Sequence, residues 1–330
     1  MEILASARTT GPTAYVVGAG VIGLTTAVRL LELGLDVTIL TREPIDETTS
    51  HVAGAYWHPF AVAPKERVLP WARITYRVAR ALAEHSPDAG VAFRTLYKYY
   101  PADEVHTWWM NAAPSYEQLP AATLPPTAVA GYKLTVPVMD SRYFLPYLVA
   151  QVRTLGGRVE QRTLHHLDEL YGAADLLVNC SGLGAASLNG DTTVQPIRGQ
   201  VLRVKAPAGM ERAVVSFDKG WRKTYIVPRT DDCILGGTAD AADADTTARP
   251  ADAEAFVERC IQLRPALRNA EWLEHRVGLR PGRPEIRLET EHVDGQAIIH
   301  NYGHGGAGYT VCWGCAASVA EEAVRVVGTP

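Results

Sequence analysis

An α/β fold follows from two stretches of this sequence, one near each end. "AYVVGAGVIGLTTAVRLLELGLDVTILTRE" (14–43) and "AIIHNYGHGGAGYTVCWGCAASVAEEAVRVV" (297–327) both read as strand, glycine-rich turn and helix. In the first, Tyr15, Val16 and Val17 form a short buried strand, and Gly18, Gly20 and Gly23 satisfy G-x-G-x-x-G. From Leu24 to Leu33 the apolar spacing turns helical, Gly34 ends the helix, and Val37 to Leu40 form a second strand. This is a Rossmann-like βαβ unit in which each glycine has its own task. Gly18 makes the tight turn, Gly20 lets backbone approach a pyrophosphate, and Gly23 lets helix and strand pack closely. The N–H groups at the helix start, with the helix dipole behind them, favour negative charge.

The fingerprint asks for an acidic residue about twenty positions further on, to bind a ribose 2′-hydroxyl. Glu43 stands at that distance, with Thr41 and Arg42 between it and the strand. An arginine here also suits a 2′-phosphate, so this segment alone leaves FAD, NAD and NADP open.

Two further stretches favour FAD. "DLLVNCSGLGA" (175–185) is an apolar strand ending in a polar, glycine-containing turn, which brings a second piece of a nucleotide-binding domain under the cofactor. The C-terminal stretch places five glycines between residues 300 and 316. Glycine loses much entropy on folding and packs no side chain, so its usual return is close approach of the backbone to something else. The helix from about Thr310 to Val327 aims its N-terminus at whatever that loop touches. Reduction leaves negative charge at the N1–C2=O edge of a flavin, and a helix N-terminus stabilises it.

Composition narrows the alternatives. A chain of 330 residues has room for two domains, and 47% hydrophobic with 21% charged residues is ordinary for a globular protein. A net charge of -4 gives no reason to expect nucleic acid or an anionic membrane. The start, MEILASARTTGPT, lacks the basic region and apolar core of a signal peptide. Tyr15 to Val28, the most apolar stretch, is too short and interrupted to span a bilayer. Five cysteines, an odd number, do not suggest a secreted disulfide framework, and cytoplasm is the expected compartment. None of the ten histidines shows metal-ligand spacing, so no metal is expected. Cys312 and Cys315 form C-x-x-C without a second pair and read as helix packing. Trp108 and Trp109 with Tyr97, Tyr99 and Tyr100 read equally as a ligand wall or as core. His304, inside the glycine loop, reads as a hydrogen-bonding residue that holds the loop.

Seven regions, taken together, carry a resemblance: VVGAGVIGL (16–24), TTSHVAGAYWHPF (48–60), VNCSG (178–182), RGQVLRV (198–204), YIVPR with CILGGT (225–238), VGLRPGRPEIRLE (277–289) and HNYGHGGAGYT (300–310). In this order, over nearly the whole chain, they resemble the D-amino acid oxidase family of FAD enzymes. The resemblance implies an α/β chain with α+β elements. A discontinuous Rossmann-like FAD-binding domain would comprise 11–60, 136–190 and 275–330. A substrate domain on a mainly antiparallel sheet would comprise 61–135 and 191–274. FAD would be held without a covalent link by Gly18, Ala19, Gly20, Val21, Ile22 and Gly23, and by Arg42 and Glu43. Thr48, Thr49, Ser50, Gly54 and Ala55 would line it, with Leu164 near the adenine and Cys180, Ser181 and Gly182 beneath. Gly305, Gly306, Ala307, Gly308, Tyr309 and Thr310 would follow the flavin edge.

The same resemblance implies that Arg280, which also borders the cofactor, binds the substrate carboxylate. Tyr225 would add a second hydrogen bond, and Gly306 would offer its carbonyl to the amine. Residue-by-residue matching places Tyr56, His58, Val215, Trp221 and Val227 around the substrate side chain. The sequence departs from the family pattern at Trp221, where many members have tyrosine, in the short VVSFDKG loop before it, and at Arg42, a commonly acidic position. The implied reaction is oxidative deamination of neutral, bulky or branched D-amino acids. Hydride passes from the α-carbon to flavin N5, oxygen becomes hydrogen peroxide, and the imino acid hydrolyses to a 2-oxo acid and ammonia. These motifs contain no general base, so catalysis rests on positioning and electrostatics. Lys219, Arg222 or Lys223 could supply the extra cation of a D-aspartate oxidase. Glycine or sarcosine oxidation, and an NADP-binding redox sensor built on Arg42, are the other readings. The expected partners are a D-amino acid and molecular oxygen, with no nucleic acid and no membrane, and a homodimer is compatible.

Overall fold

A computed structural model describes residues 11–101, 105–210, 213–219 and 222–328. Its first sheet has six strands, in the order Arg287–Val293, Gln296–Tyr302, Leu176–Asn179, Thr13–Val17, Asp36–Thr41 and Arg158–Gln161. Neighbours are parallel except the first two, which form a hairpin. The inner strands are almost wholly buried because both faces are covered. Helices Val21–Glu32, Ser141–Thr154 and Gly308–Val327 bury one face, and a smaller cluster around Leu167, Leu170 and Leu188 covers the other.

The C-terminal helix Gly308–Val327 lies between Val21–Glu32 and the long helix Lys65–His85. Gly314 permits the crossing, since a Cβ there would stand 2.2 Å from Trp71 Cα. Its N–H donates to Thr75 Oγ1 at 3.2 Å, and Trp71 Nε1 donates to Ser318 Oγ at 2.9 Å.

The second sheet runs from Asp240–Ala241 through Gln195–Lys205, Asp232–Gly236, Arg222–Pro228, Ala213–Lys219, Val91–Tyr100 and Ala130–Met139 to Tyr116–Gln118. Trp272–Gly282 also pairs with Gln195–Lys205. Every pairing is antiparallel except Val91–Tyr100 with Ala213–Lys219. One face packs under helix Pro250–Leu263, and the other turns Val214, Tyr225 and Val227 toward Trp57 and Trp109. Trp109 and Tyr100 are core, joined by a hydrogen bond of 3.2 Å from the indole nitrogen.

Three stretches sit differently from the division expected of the sequence. Residues 136–139 and 275–282 are strand in the second sheet, held by ladders such as Val138 with Ala92 and Arg280 with Ile197. Helix Lys65–His85, expected with the substrate domain, packs on the helical layer of the first sheet. Among the described residues, no helix is long and apolar enough to cross a membrane. One trio of carboxylates there is close enough to hold a metal ion: Asp140, Asp231 and Asp232. Arg142 bridges all three, while Arg203 and Arg229 reinforce Asp232, so arginine already supplies the positive charge.

Candidate active site

Three glycines with three different surroundings build the turn after Thr13–Val17. Gly18 takes φ +110°, and a Cβ there would stand 2.6 Å from the Cys180 carbonyl oxygen. Gly23 presses helix on strand, its would-be Cβ only 1.8 Å from Gly18 O. At Gly20 a Cβ would meet only Ser50 Oγ, at 3.0 Å, so its bareness serves the cavity rather than the packing. Gly23→Val is therefore expected to cost about 3 kcal/mol or more of stability, measured as a lower denaturation midpoint. A variant of parental stability would mean that helix and strand are not this closely apposed.

The turn opens into a cavity of about 550 Å³ assembled from distant parts of the chain. The N-terminal third supplies Gly18, Ala19, Gly20, Val21 and Ile22, then Arg42, Glu43, Thr48, Thr49, Ser50, Gly54 and Ala55. Leu164, Cys180, Ser181 and Gly182 come from the middle, and Arg280, Gly305, Gly306, Gly308 and Tyr309 from the end. Ser50 Oγ accepts the Val21 N–H at 3.0 Å, and its carbonyl accepts the Tyr309 hydroxyl at 2.8 Å, tying turn to C-terminal helix. Burial pushes the Cys180 thiol up to about 12, so it lines the wall as a neutral group.

Three expected cofactor contacts lie outside the lining. Gly23 serves packing. Ala307, fully buried, starts the C-terminal helix, its carbonyl accepting the Thr310 N–H at 2.8 Å and the Val311 N–H at 3.1 Å. Thr310 is turned away, its Oγ1 accepting the His58 N–H at 3.0 Å. At the far end Arg42 and Glu43 pair with each other, Nε to Oε1 at 2.5 Å. That contact neutralises the cation on which a 2′-phosphate site would depend.

At the opposite end Arg280 lies flat on Gly199, where a Cβ would stand 2.2 Å from Nη1 and 2.3 Å from Nη2. Nη1 donates to the carbonyls of Thr238 (3.2 Å) and Arg198 (3.3 Å). Phe60 faces the guanidinium, its ring centroid 5.9 Å away. Burial raises the Tyr225 phenol above its ordinary pKa, and the charge and hydrogen bond of Arg280 pull it partly back. The ring lies across Gly236, whose Cβ would stand 2.2 Å from Tyr225 Cζ. Gly305, at φ +51°, packs on Ala61 O, and Gly306 donates to Phe60 O at 3.0 Å. Glycine is needed at Gly199 and Gly236 because the Arg280 and Tyr225 side chains occupy the space of the missing ones.

The side-chain end of the cavity differs from the expected set. Tyr56 and His58 line it and stack with centroids 5.6 Å apart, with Tyr225 beside Tyr56. Val227 stays in the layer behind, near the position of a Gly54 Cβ, and does not reach the lining. Val215 points to the opposite face, into the core under Pro250–Leu263. Its neighbour Ser216 takes the near face, its Oγ accepting from Lys98 Nζ at 2.9 Å and from the Tyr56 hydroxyl at 3.3 Å. Trp221 lies outside the described residues. Burial raises the Cys312 thiol to about 12 and holds the Cys315 thiol well above its ordinary range, which suits packing rather than redox exchange.

Two lining residues to which sequence reasoning gave no cofactor contact complete the site. Asn301 Oδ1 and His304 Nε2 are buried and have no hydrogen-bond partner among the described residues. A bare glycine turn at a helix start, polar side chains along the wall and a second helix start at Gly308 suit a ligand with phosphates at one end and a polar ring at the other. FAD fits that set.

The sequence matches the FAD-dependent oxidoreductase family over residues 14–322. It is 45% identical to a D-amino-acid oxidase of Rubrobacter xylanophilus over 320 residues, covering 96% of this chain and 95% of that one. Identity to a D-amino-acid oxidase of Streptomyces coelicolor is 41% over 314 residues, covering 94% and 95%. A human D-aspartate oxidase is 35% identical over 333 residues, covering 96% of each. A glycine oxidase structure from Geobacillus kaustophilus shares the fold with TM-score 0.79 at 19% identity, covering 95% of each chain. The chain belongs to the FAD-dependent oxidoreductase family.

Proposed function

We propose that this chain oxidatively deaminates D-amino acids with neutral, bulky or branched side chains, producing 2-oxo acids, ammonia and hydrogen peroxide. One observation carries the reading. Of the four arginines in RVGLRPGRPEIR, three pair with carboxylates: Arg276 with Glu274, Arg283 with Asp191, and Arg287 with Glu289 and Glu291. Arg280 borders the cavity, and no acidic side chain among the described residues pairs with it. A planar cation held at a cavity wall without a counter-ion suits a ligand carboxylate in two parallel hydrogen bonds.

Bound FAD would supply the oxidising chemistry, a two-electron acceptor for the α-carbon hydride that oxygen reoxidises, with the amine proton completing hydrogen peroxide. The chain's own task is placement. Arg280 and Tyr225 hold the carboxylate, the Gly306 carbonyl accepts from the amine, and the side chain extends toward Tyr56 and His58. With three substituents fixed, only one hand of the α-carbon turns its hydrogen toward the ring, and the D preference rests on the relatives' names. The amine reacts neutral, and no side chain need remove the α-proton.

Acid precipitation should release all the flavin as FAD, and flavin left on the pellet would mean a covalent link. In a peroxide assay, D-valine, D-leucine and D-methionine should exceed D-aspartate in kcat/KM, with the L-isomers inert. The described lining at the substrate end offers one cation, Arg280, whereas a second carboxylate asks for another. D-aspartate as the best substrate would transfer the assignment to D-aspartate oxidation.

A further inference from the structure

Lys98 is fully buried, and the reaction proposed above makes no use of it. Lysine is almost never fully buried unless paired, because its ammonium gives up its hydration. Lys98 stands in the strand Val91–Tyr100, opposite Ser216 of Ala213–Lys219. Its partners include Ser216 Oγ at 2.9 Å and the Tyr100 ring, whose centroid is 5.3 Å from Nζ. Ser216, also fully buried, meets the Tyr56 hydroxyl at 3.3 Å. Of these three residues, Tyr56 is the one that lines the cavity. Its backbone is pinned on both sides to the strand Ala130–Met139: Trp57 N–H donates to Pro137 O at 3.0 Å, and Met139 N–H donates to Ala55 O at 2.9 Å. Its ring packs against His58, stacked at 5.6 Å, and Tyr225, tilted at 5.9 Å. With backbone and ring so held, the direction of the phenol O–H is the freedom that remains, and Ser216 decides it.

A lysine ammonium only donates, so Ser216 Oγ accepts from Lys98, and the charge makes this the stronger bond of the two. It anchors the serine with one lone pair left for the Tyr56 hydroxyl hydrogen. We infer that Lys98 and Ser216 are positioning residues for substrate selection, which tie the Tyr56 hydroxyl back so that the pocket meets the phenol ring and not its O–H. A wall of that kind takes an apolar tail. It turns away a tail carrying a hydroxyl, whose hydrogen bonds to water would be lost without replacement. The inference rests on the reading of Tyr56 and His58 as the side-chain end of the site. Every readout below is binding of a carboxylate that has no amine to oxidise, so it can fail while D-amino acid oxidation stands.

The test titrates flavin-loaded protein with isovalerate and with β-hydroxybutyrate, which differ by a methyl group against a hydroxyl, and reads binding from the shift in flavin absorbance. The unaltered protein should bind isovalerate about tenfold more tightly. Ser216→Ala releases the phenol O–H toward the cavity and should narrow that preference about fivefold, the worth of one hydrogen bond. Lys98→Met leaves Ser216 in place without its anchor and should narrow the preference by a smaller factor. Tyr56→Phe has no hydroxyl to release and should keep the parental preference. Ser216→Ala combined with Tyr56→Phe should keep it too, the non-additivity expected of direct partners. A structural role alone would weaken both ligands together and leave their ratio unchanged. The inference is overturned if the unaltered protein binds the two carboxylates equally, a result that needs no variant to fold. It is also overturned if flavin-loaded Ser216→Ala keeps the parental ratio, or if Tyr56→Phe narrows it as much as Ser216→Ala does. If neither carboxylate binds, the carboxylate site at Arg280 falls and this inference with it.

Discussion

Arg280→Ala is expected to give a yellow, folded protein whose kcat/KM for D-amino acids has nearly vanished. Losing one partner of a desolvated charge pair costs roughly 2–5 kcal/mol, on the order of 30- to several-thousand-fold in kcat/KM. The loss should not spread to the flavin, because the guanidinium is held by the Thr238 and Arg198 carbonyls and by Gly199. Arg280→Lys should retain part of the activity, keeping the charge but losing the two-pronged fit. Arg283→Ala and Arg287→Ala serve as controls, since each breaks a carboxylate pair outside the cavity lining. They should lower stability and leave kcat/KM near the parent's. A flavin-loaded Arg280→Ala within a few-fold of parental kcat/KM would show that the carboxylate is held elsewhere.

Gly199→Ala should do almost as much damage with one methyl group and no change of charge. Carbon and nitrogen need about 3.5 Å between them, and the new Cβ would stand 2.2 Å from Arg280 Nη1. The strand cannot yield, because Gly199 is paired with Gly278 in a ladder of ten residue pairs. The guanidinium must therefore move, and a displacement of about 1 Å at a positioning group costs about 100-fold in kcat/KM. The flavin spectrum and FAD affinity should stay parental. Steady-state kinetics on the reconstituted variant decides the matter, and activity within a few-fold of the parent would mean that Arg280 need not rest on Gly199.

The dinucleotide turn was legible because its glycines stand at a fixed spacing between a strand and a helix that are consecutive in sequence. The cavity end was less so, because its contacts are distant in sequence. Gly199 lies in a segment whose resemblance was plain, yet only the fold shows that Arg280 rests on it. Val215 failed for a different reason. Side chains in a strand alternate between faces, so a match displaced by one position sends every residue to the wrong side. Ser216, with Lys98 behind it, occupies the face expected of Val215. Asn301 and His304 could be read as polar residues beside a glycine loop. That Oδ1 and Nε2 are buried without partners is a property of the packed interior, and the sequence carries no sign of it.

The order of strands in the first sheet has a consequence for how the protein is made. The strand Gln296–Tyr302 inserts beside Leu176–Asn179, and Gly308–Val327 covers the helix that begins at the dinucleotide turn. A nascent chain on the ribosome thus carries the Gly18–Gly23 segment long before it has the surfaces that shelter it. The apolar flank of Val21–Glu32 must wait, exposed or shielded by a chaperone, until residues 296–327 emerge. Cofactor capture then follows the synthesis of residues 296–327 rather than early folding. Shortage of FAD in the cell should show itself as aggregation of completed chains rather than of fragments.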